Sequence, residues 1–196
     1  MTDLFAELLA TNGVEEVSAL RSRIGFMAYH GGSLEEQTDV IASRAAERSG
    51  ASYYGVLQPA DVQWHIPSHK VSPASSATLT HFIEHVEIVI TIHGFGRRDH
   101  STSVLLGGQN RDLAAHVATH LRPRLPEYEI VTELDLIPKD LRGLHADNPV
   151  NLPQHKGVQI ELPPRLRGSS ADMAFLIDGL VDAAAMWPTP TAPVAR

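Results

Sequence analysis

The chain has no cysteine among its 196 residues. Disulfide bonds and thiolate metal ligands are therefore excluded, and any metal site must be built from His, Asp and Glu side chains. Residues 1–7 are acidic and do not follow the basic-then-apolar order of a signal peptide. Because that signal-peptide order and cysteine are both missing, we expect a cytoplasmic protein.

Long apolar runs and an excess of positive charge are missing as well. Charge or histidine interrupts each apolar run within about ten residues, so we expect no transmembrane helix. The chain has 16 Lys and Arg against 23 Asp and Glu, a net charge of -7, which argues against nucleic acid as a partner. The glycine pairs at 31–32 and 107–108 fit neither the Walker A spacing nor Gly-x-Gly-x-x-Gly, so phosphate binding by a glycine-rich loop is not indicated.

What the chain does contain is an alternation of short apolar runs with helical segments. We predict strands at residues 24–30, 52–57, 87–93, 101–106, 128–132 and 157–162. Helices are predicted at residues 34–47, 75–85, 111–121 and 171–185, with one or two further helical pieces within residues 1–22. Such alternation is typical of a mostly parallel α/β sheet with helices on both faces. We therefore predict one α/β domain over residues 1–187 and a disordered tail at residues 188–196.

Two of the predicted strands end on a histidine that glycine follows directly. His30 ends the strand at 24–30, and after a glycine pair the chain continues with two carboxylates, Glu35 and Glu36. His93 ends the strand at 87–93. Because open α/β sheets bind ligands at the carboxyl ends of their strands, we expect these side chains at one rim. Two histidines and a carboxylate would form a three-ligand catalytic zinc site with one position left for water.

A third predicted strand carries Glu161 within an otherwise apolar run. A carboxylate in such a place is costly unless it is paired or used. Metal-assisted amide hydrolysis needs a separate carboxylate that takes a proton from water and returns it to the leaving amine, and we predict Glu161 as that general base. Arg165 and Arg167 follow and are candidates for binding the carboxylates of an acidic substrate. An ion pair between Glu161 and one of these arginines is the structural alternative.

Several short motifs follow one another in a fixed order. They are His-Gly-Gly-Ser-Leu-Glu at 30–35, Thr-Ile-His-Gly at 91–94, Leu-Gly-Gly at 106–108, Asn-Pro-Val-Asn at 148–151 and Gly-Val-Gln-Ile-Glu-Leu at 157–162, with Arg165 and Arg167 after the last. In this order they resemble the phage-type poly-γ-glutamate hydrolase family, which also occurs in bacterial genomes and is often labelled a phage-related replication protein. The resemblance spans residues 24–170.

The resemblance implies a zinc-carboxypeptidase-like fold and the hydrolysis of γ-linked glutamate amides in an acidic peptide substrate. It implies one zinc ion held by His30, Glu35 and His93, with Glu161 as the general base. The substrate contacts that it implies are Ser68, Asn151, Arg165 and Arg167.

Two details of the loops bear on this resemblance. The family spacing selects Glu35 as the ligand, with Glu36 as the alternative. Where the family has a Thr-Ser pair after the second strand, this chain keeps only Ser68, with His65 and His69 beside it. This departure from the family pattern bears on which substrate the chain binds.

Two other histidine pairs are rival metal motifs. His81, Glu84 and His85 match the His-x-x-Glu-His pattern of inverted zincins, but the predicted helix ends at His85 and no obvious downstream helix supplies a further carboxylate. His116 and His120 are also four residues apart but have no glutamate between them. We interpret both pairs as histidines on helix surfaces.

The sequence leaves two alternatives to a hydrolase function open. One is a catalytically inactive module that binds acidic peptides or cell-wall fragments. The other is the replication role of the family label, which would need a basic stripe that this acidic chain lacks. The sequence indicates no oligomeric state.

Overall fold

A seven-stranded mixed sheet forms the centre of the computed structural model, which describes residues 3–188. Its strands are β1 (Glu15–Ala19), β2 (Ile24–Gly32), β3 (Ser52–Gln58), β4 (Ile88–Gly94), β5 (Ser103–Leu106), β6 (Glu129–Val131) and β7 (Gly157–Leu162). They lie in the order β1-β3-β2-β4-β7-β5-β6. The β1–β3 and β5–β7 pairs are antiparallel and the other pairs are parallel, so the predicted mostly parallel sheet is confirmed.

Helices cover both faces of this sheet, as predicted. They are α1 (Leu4–Leu9), α2 (Thr38–Ser49), α3 (Ala77–His85), α4 (Arg111–Leu121), α5 (Pro164–Arg167) and α6 (Ser170–Met186). Side chains of α2, α4 and α6 form the larger core on one face, and side chains of α1 and α3 pack on the other. Within the described residues, no helix is both long and apolar enough to cross a membrane.

Strand alternation separates the apolar core from the polar face. Successive side chains of a strand point to opposite faces. Ile90 and Val158 therefore point into the larger core, whereas His93 and Glu161 point to the other face. There, the long segments at residues 59–76 and 132–156 border them. The polar residues of β4 and β7 thus meet beneath loops rather than beneath a helix layer.

Two predictions about the first forty residues were wrong. The second helical piece expected before residue 22 is the edge strand β1, which pairs with β3. The helix expected from residue 34 begins only at Thr38, because residues 33–37 form turns and Gln37 has a φ of 72°. The remaining predicted elements agree with the structure to within two residues at each end. Apart from Pro188, the predicted disordered tail lies outside the described residues.

The strand β2 contains one extra residue relative to β3. Between Ala28 and Gly31 the chain of β2 takes three steps while the paired chain of β3 takes two. A bulge of this kind interrupts the alternation of side chains and re-aims them. As a result, the neighbours Tyr29 and His30 reach the same side, with their rings 4.8 Å and 5.0 Å from the ring of His93.

Gly32 ends β2 in a conformation and a space that favour glycine. Its φ is 71°, and a Cβ on it would lie 2.3 Å from the carbonyl oxygen of Gln58. We expect Gly32→Ala to lower the free energy of unfolding by more than about 2 kcal/mol, because the backbone of Gln58 has to move. The matched control is Gly50→Ala, at a φ of 70° with nothing within 4 Å of the new Cβ, which should cost about 1–2 kcal/mol. Denaturant unfolding measures both, and equal losses would contradict the prediction.

Candidate metal centre and active site

Three buried side chains meet at the carboxyl ends of β2 and β4. Nδ1 of His30 lies 2.9 Å from Oε1 of Glu35, and Nδ1 of His93 lies 3.2 Å from Oε2 of the same carboxylate. One ligand atom from each residue lies within 4.8 Å of the other two. Over residues 3–188, these side chains are the single group of three or more His, Asp and Glu with such spacing. We refer to His30, Glu35 and His93 as the cluster.

Glu35 reaches the histidines because the chain turns back after β2 instead of entering a helix. Its N–H donates to the carbonyl of His30 at 2.9 Å, and the N–H of Gly94 donates to its Oε2 at 2.9 Å. Burial acts to raise the pKa of Glu35, but the charges of His30 and His93 outweigh it and hold that pKa well below its ordinary value. The side chain of Glu36 is exposed and does not join the cluster.

The hydrogen bonds of His30 fit a metal ligand. Its Nε2 lies 2.8 Å from the carbonyl oxygen of Ile66, which can only accept, so Nε2 carries a proton. Nδ1 is the nitrogen that faces the carboxylate of Glu35. A ring nitrogen and a carboxylate oxygen at this distance need a proton or a cation between them. Two imidazole nitrogens and one carboxylate are a donor set that Zn²⁺ accepts.

Glu161 lies next to the cluster on β7. It is the register partner of His93 across the β4–β7 pair, which places the two side chains on the same face. Burial raises the pKa of Glu161 to about 7, against the opposing influence of His93. A carboxyl group that titrates near neutral pH can both take up and release a proton, as a general base in amide hydrolysis must.

The raised pKa of Glu161 predicts a pH dependence of stability in the metal-free protein. Its pKa is about 7 in the folded chain against an ordinary 4.5, so the folded protein binds more protons between these values. Stability therefore falls as the pH rises through that window. Glutamine at position 161 does not titrate, so Glu161→Gln lacks this pH-dependent decrease. Its free energy of unfolding relative to that of the wild type should therefore rise by about 1–3 kcal/mol between pH 4.5 and 7. Thermal unfolding with a chelator measures this, and a pH-independent difference would contradict it.

A cleft of about 430 Å³ opens over the cluster. Its walls include His65, Ser68, His69, Lys139, Asp140 and His145. Ser68 thus lies where a substrate contact could act. Nε2 of His65 is 3.7 Å from Oε1 of Glu35, and this nearby carboxylate raises the pKa of His65. Since Asp140 is paired with Arg97, the walls are mainly basic, which suits an acidic ligand.

Asn151 and Arg165, two of the predicted substrate contacts, are not among the side chains that line the cleft. The amide of Asn151 donates to the carbonyls of Gly143 and His145 at 2.7 and 2.9 Å, so it supports a loop that borders the cleft. Arg165 lies on the surface and forms an ion pair with the exposed side chain of Glu127 at 3.3 Å. Neither side chain is placed to touch a substrate in the cleft.

Arg167 lies behind the cluster rather than in the cleft. A Cβ on Gly94 would be 2.7 Å from its Cζ, and its guanidinium donates to the carbonyls of Glu36 and Leu162 at 2.8 and 3.3 Å. These backbone acceptors hold the side chain in place. Among the described residues, neither Arg165 nor Arg167 forms an ion pair with Glu161, so the structural alternative for that carboxylate does not apply.

Sequence reasoning missed the roles of Tyr29, Asn148 and Gln159, which connect His93 to Glu161 by hydrogen bonds. One signal was available for Gln159, because it precedes Glu161 by two residues in a strand and so shares its face. No comparable signal existed for Tyr29, because simple alternation along β2 would place its side chain on the face opposite to that of His30.

The rival histidine motifs do not form metal sites within residues 3–188. His81 is exposed, and Nε2 of His85 contacts the carbonyl of Arg21 at 3.2 Å. His116 and His120 lie on α4 with their rings 4.8 Å apart. Neither pair belongs to a group of three potential ligands.

The mixed sheet with helices on both faces has the zinc-carboxypeptidase-like α/β fold that the sequence predicts. Residues 5–173 match the model of the poly-gamma-glutamate hydrolase family. The chain belongs to this family, and membership supports a hydrolase role. No curated protein matches the chain significantly.

Solved structures share this fold at low sequence identity. A bacteriophage poly-gamma-glutamate hydrolase is 19% identical with a TM-score of 0.71, over 89% of this chain and 90% of that one. Zinc-free YNDL is 20% identical with a TM-score of 0.71, over 87% and 88%. The gene product Atu2144 of Agrobacterium tumefaciens is 12% identical with a TM-score of 0.56, over 88% and 92%. At these identities the likeness shows the fold alone.

Proposed function

We propose that this chain is a zinc-dependent amide hydrolase that cleaves γ-linked glutamate peptides. The observation that carries the proposal is the buried cluster of His30, Glu35 and His93 beside Glu161, at the base of a cleft, in a member of the poly-gamma-glutamate hydrolase family. Nδ1 of each histidine and the carboxylate of Glu35 would hold one zinc ion. A zinc ion in such a site polarises a carbonyl group and makes water a stronger nucleophile.

Glu161 supplies the proton transfers in this proposal. Its carboxylate accepts a proton from the attacking water and then delivers that proton to the leaving amine as the amide bond breaks. The proposed role fits a carboxyl group whose burial raises its pKa to about 7. Such a group is neither permanently charged nor permanently protonated near neutral pH.

The walls of the cleft support an acidic substrate. Lys139, His65, His69 and His145 present basic groups, and Ser68 offers a hydroxyl for hydrogen bonding. These side chains replace the predicted arginines as candidates for binding glutamate carboxylates, since the arginines lie outside the cleft. These basic groups also offset the negative charge of Glu35 and Glu161, which favours the approach of a polyanionic substrate to the site.

The test compares two polymers of the same monomer. Purified protein with measured zinc content is incubated with γ-linked and with α-linked polyglutamate, and newly formed amines are counted. We expect cleavage of the γ-linked polymer, its loss on chelation and its return with added zinc. A zinc-loaded protein that cleaves neither polymer would contradict the proposal. Retained binding of acidic peptides in that case would identify the inactive binding module.

A further inference from the structure

We propose that Tyr29, Asn148 and Gln159 form a hydrogen-bonded chain that fixes the tautomer of His93 and orients Glu161. The contacts are continuous. Nε2 of His93 lies 3.0 Å from Oη of Tyr29, which lies 3.1 Å from Oδ1 of Asn148. Nδ2 of Asn148 lies 2.9 Å from Oε1 of Gln159, whose Nε2 lies 2.8 Å from Oε1 of Glu161. The inference rests on the proposed function, in which His93 is a ligand and Glu161 is the base.

Backbone groups fix the orientation of both amides in this chain. The N–H of Val150 donates to Oδ1 of Asn148 at 3.2 Å, so that atom must be the oxygen. Nε2 of Gln159 donates to the carbonyl of Leu141 at 3.3 Å, so that atom must be the nitrogen. Neither amide can be turned around without losing its backbone partner. The direction of each hydrogen bond in the chain follows from these two assignments.

The direction of the bonds determines where the proton of His93 lies. Because Oδ1 of Asn148 is an acceptor, the hydroxyl of Tyr29 must donate to it and thereby uses its one proton. The oxygen of Tyr29 must then accept from Nε2 of His93. A neutral imidazole with its proton on Nε2 leaves a lone pair on Nδ1, which is the nitrogen that faces Glu35 at 3.2 Å. The chain therefore presents His93 in the form that a metal ion requires.

The other end of the chain acts on the candidate base. The amide of Gln159 donates to one oxygen of Glu161, which restricts the rotation of the carboxylate about its last bond. All five side chains are at most 4% exposed, so water does not compete for these bonds. Tyr29, Asn148 and Gln159 are positioning residues in this arrangement, since they act through His93 and Glu161.

The first test reads the tautomer directly in metal-free protein. Long-range proton–nitrogen correlation spectra of ¹⁵N-histidine-labelled protein distinguish a ring that carries a proton on Nε2 from a ring protonated on Nδ1 alone. Comparison with His93→Ala assigns the signals. We expect Nε2 of His93 to carry a proton in the wild type and Tyr29→Phe to show a mixture that includes the ring protonated on Nδ1 alone. A wild type with its proton on Nδ1 alone would overturn the proposal even if no variant folds.

The second test measures zinc affinity by competition with a chromogenic chelator. Tyr29→Phe should bind zinc about 10–100-fold more weakly, as is usual when the partner of a metal-bound histidine is lost. Tyr54→Phe is the matched control, because Tyr54 is also fully buried but bonds to Glu16 outside the cluster. Its zinc affinity and its His93 signals should equal those of the wild type. Wild-type affinity in Tyr29→Phe would contradict the proposal.

A third measurement addresses Glu161 and needs substrate. Gln159→Met removes the last bond of the chain without adding charge, and we expect kcat to fall about tenfold while KM and zinc content stay unchanged. An unchanged kcat would refute the role of the chain in orienting Glu161. The tautomer and affinity measurements use no substrate, so they decide the role at His93 whether or not the protein cleaves γ-linked glutamate.

Discussion

Glu161→Gln is expected to lower kcat on poly-γ-glutamate by about 10²–10⁴-fold while zinc remains bound. Glutamine has nearly the same shape and keeps an oxygen that can accept from Gln159, so the fold and the cluster should survive. It cannot take a proton from water at neutral pH. The measurement is the rate of amine release at saturating substrate, together with zinc content by elemental analysis.

The control for this variant is Glu36→Gln. Glu36 is exposed and follows a member of the cluster directly, yet its carboxylate does not join the cluster. Its removal alters the charge near the cleft by the same amount, and the rate should stay within about twofold of the wild type. Full activity of Glu161→Gln would remove Glu161 from the mechanism. A large loss in both variants would point to charge rather than to proton transfer.

His93→Ala is the second substitution with a large expected effect. It removes one of the three proposed ligands, and zinc content after dialysis should fall from one ion per chain to less than about a tenth of that. Hydrolysis should fall with it. The same result is expected for His30→Ala, since the two histidines approach opposite oxygens of Glu35.

His81→Ala is the matched control for the histidine variants. His81 belongs to the rival inverted-zincin motif, lies exposed on α3 and stands apart from the cluster. Zinc content should be unchanged in this variant. If His81→Ala lost its zinc and His93→Ala kept it, the metal site would have to be assigned to α3 instead of the cluster.

The convergence of His30, His93 and Glu161 could be predicted because each lies in a strand of one parallel set. Parallel neighbours bring their carboxyl ends to one edge, so residues far apart in sequence become neighbours there. Glu35 was harder to place, because residues 33–37 carry the composition of a helix start but form turns. Only the family spacing separated Glu35 from Glu36 in the sequence.

The different placement of the two arginines has a simple geometric cause. Arg165 and Arg167 lie on one helical turn, α5, and residues two apart on a helix do not share a face. A sequence pattern that places two cations close together therefore does not place them in the same cleft. Arg165 points to the surface and Arg167 to backbone carbonyls behind the cluster.

The extra residue in β2 also has an evolutionary consequence. Loss of one codon between Ala28 and Gly31 would leave a strand of ordinary alternation, still paired with β3 and still apolar. Such a deletion removes either Tyr29 or His30, so the site loses the hydroxyl that contacts Nε2 of His93 or one of the three proposed ligands. A single in-frame deletion in this bulge would therefore disrupt the cluster while leaving the rest of the fold in place.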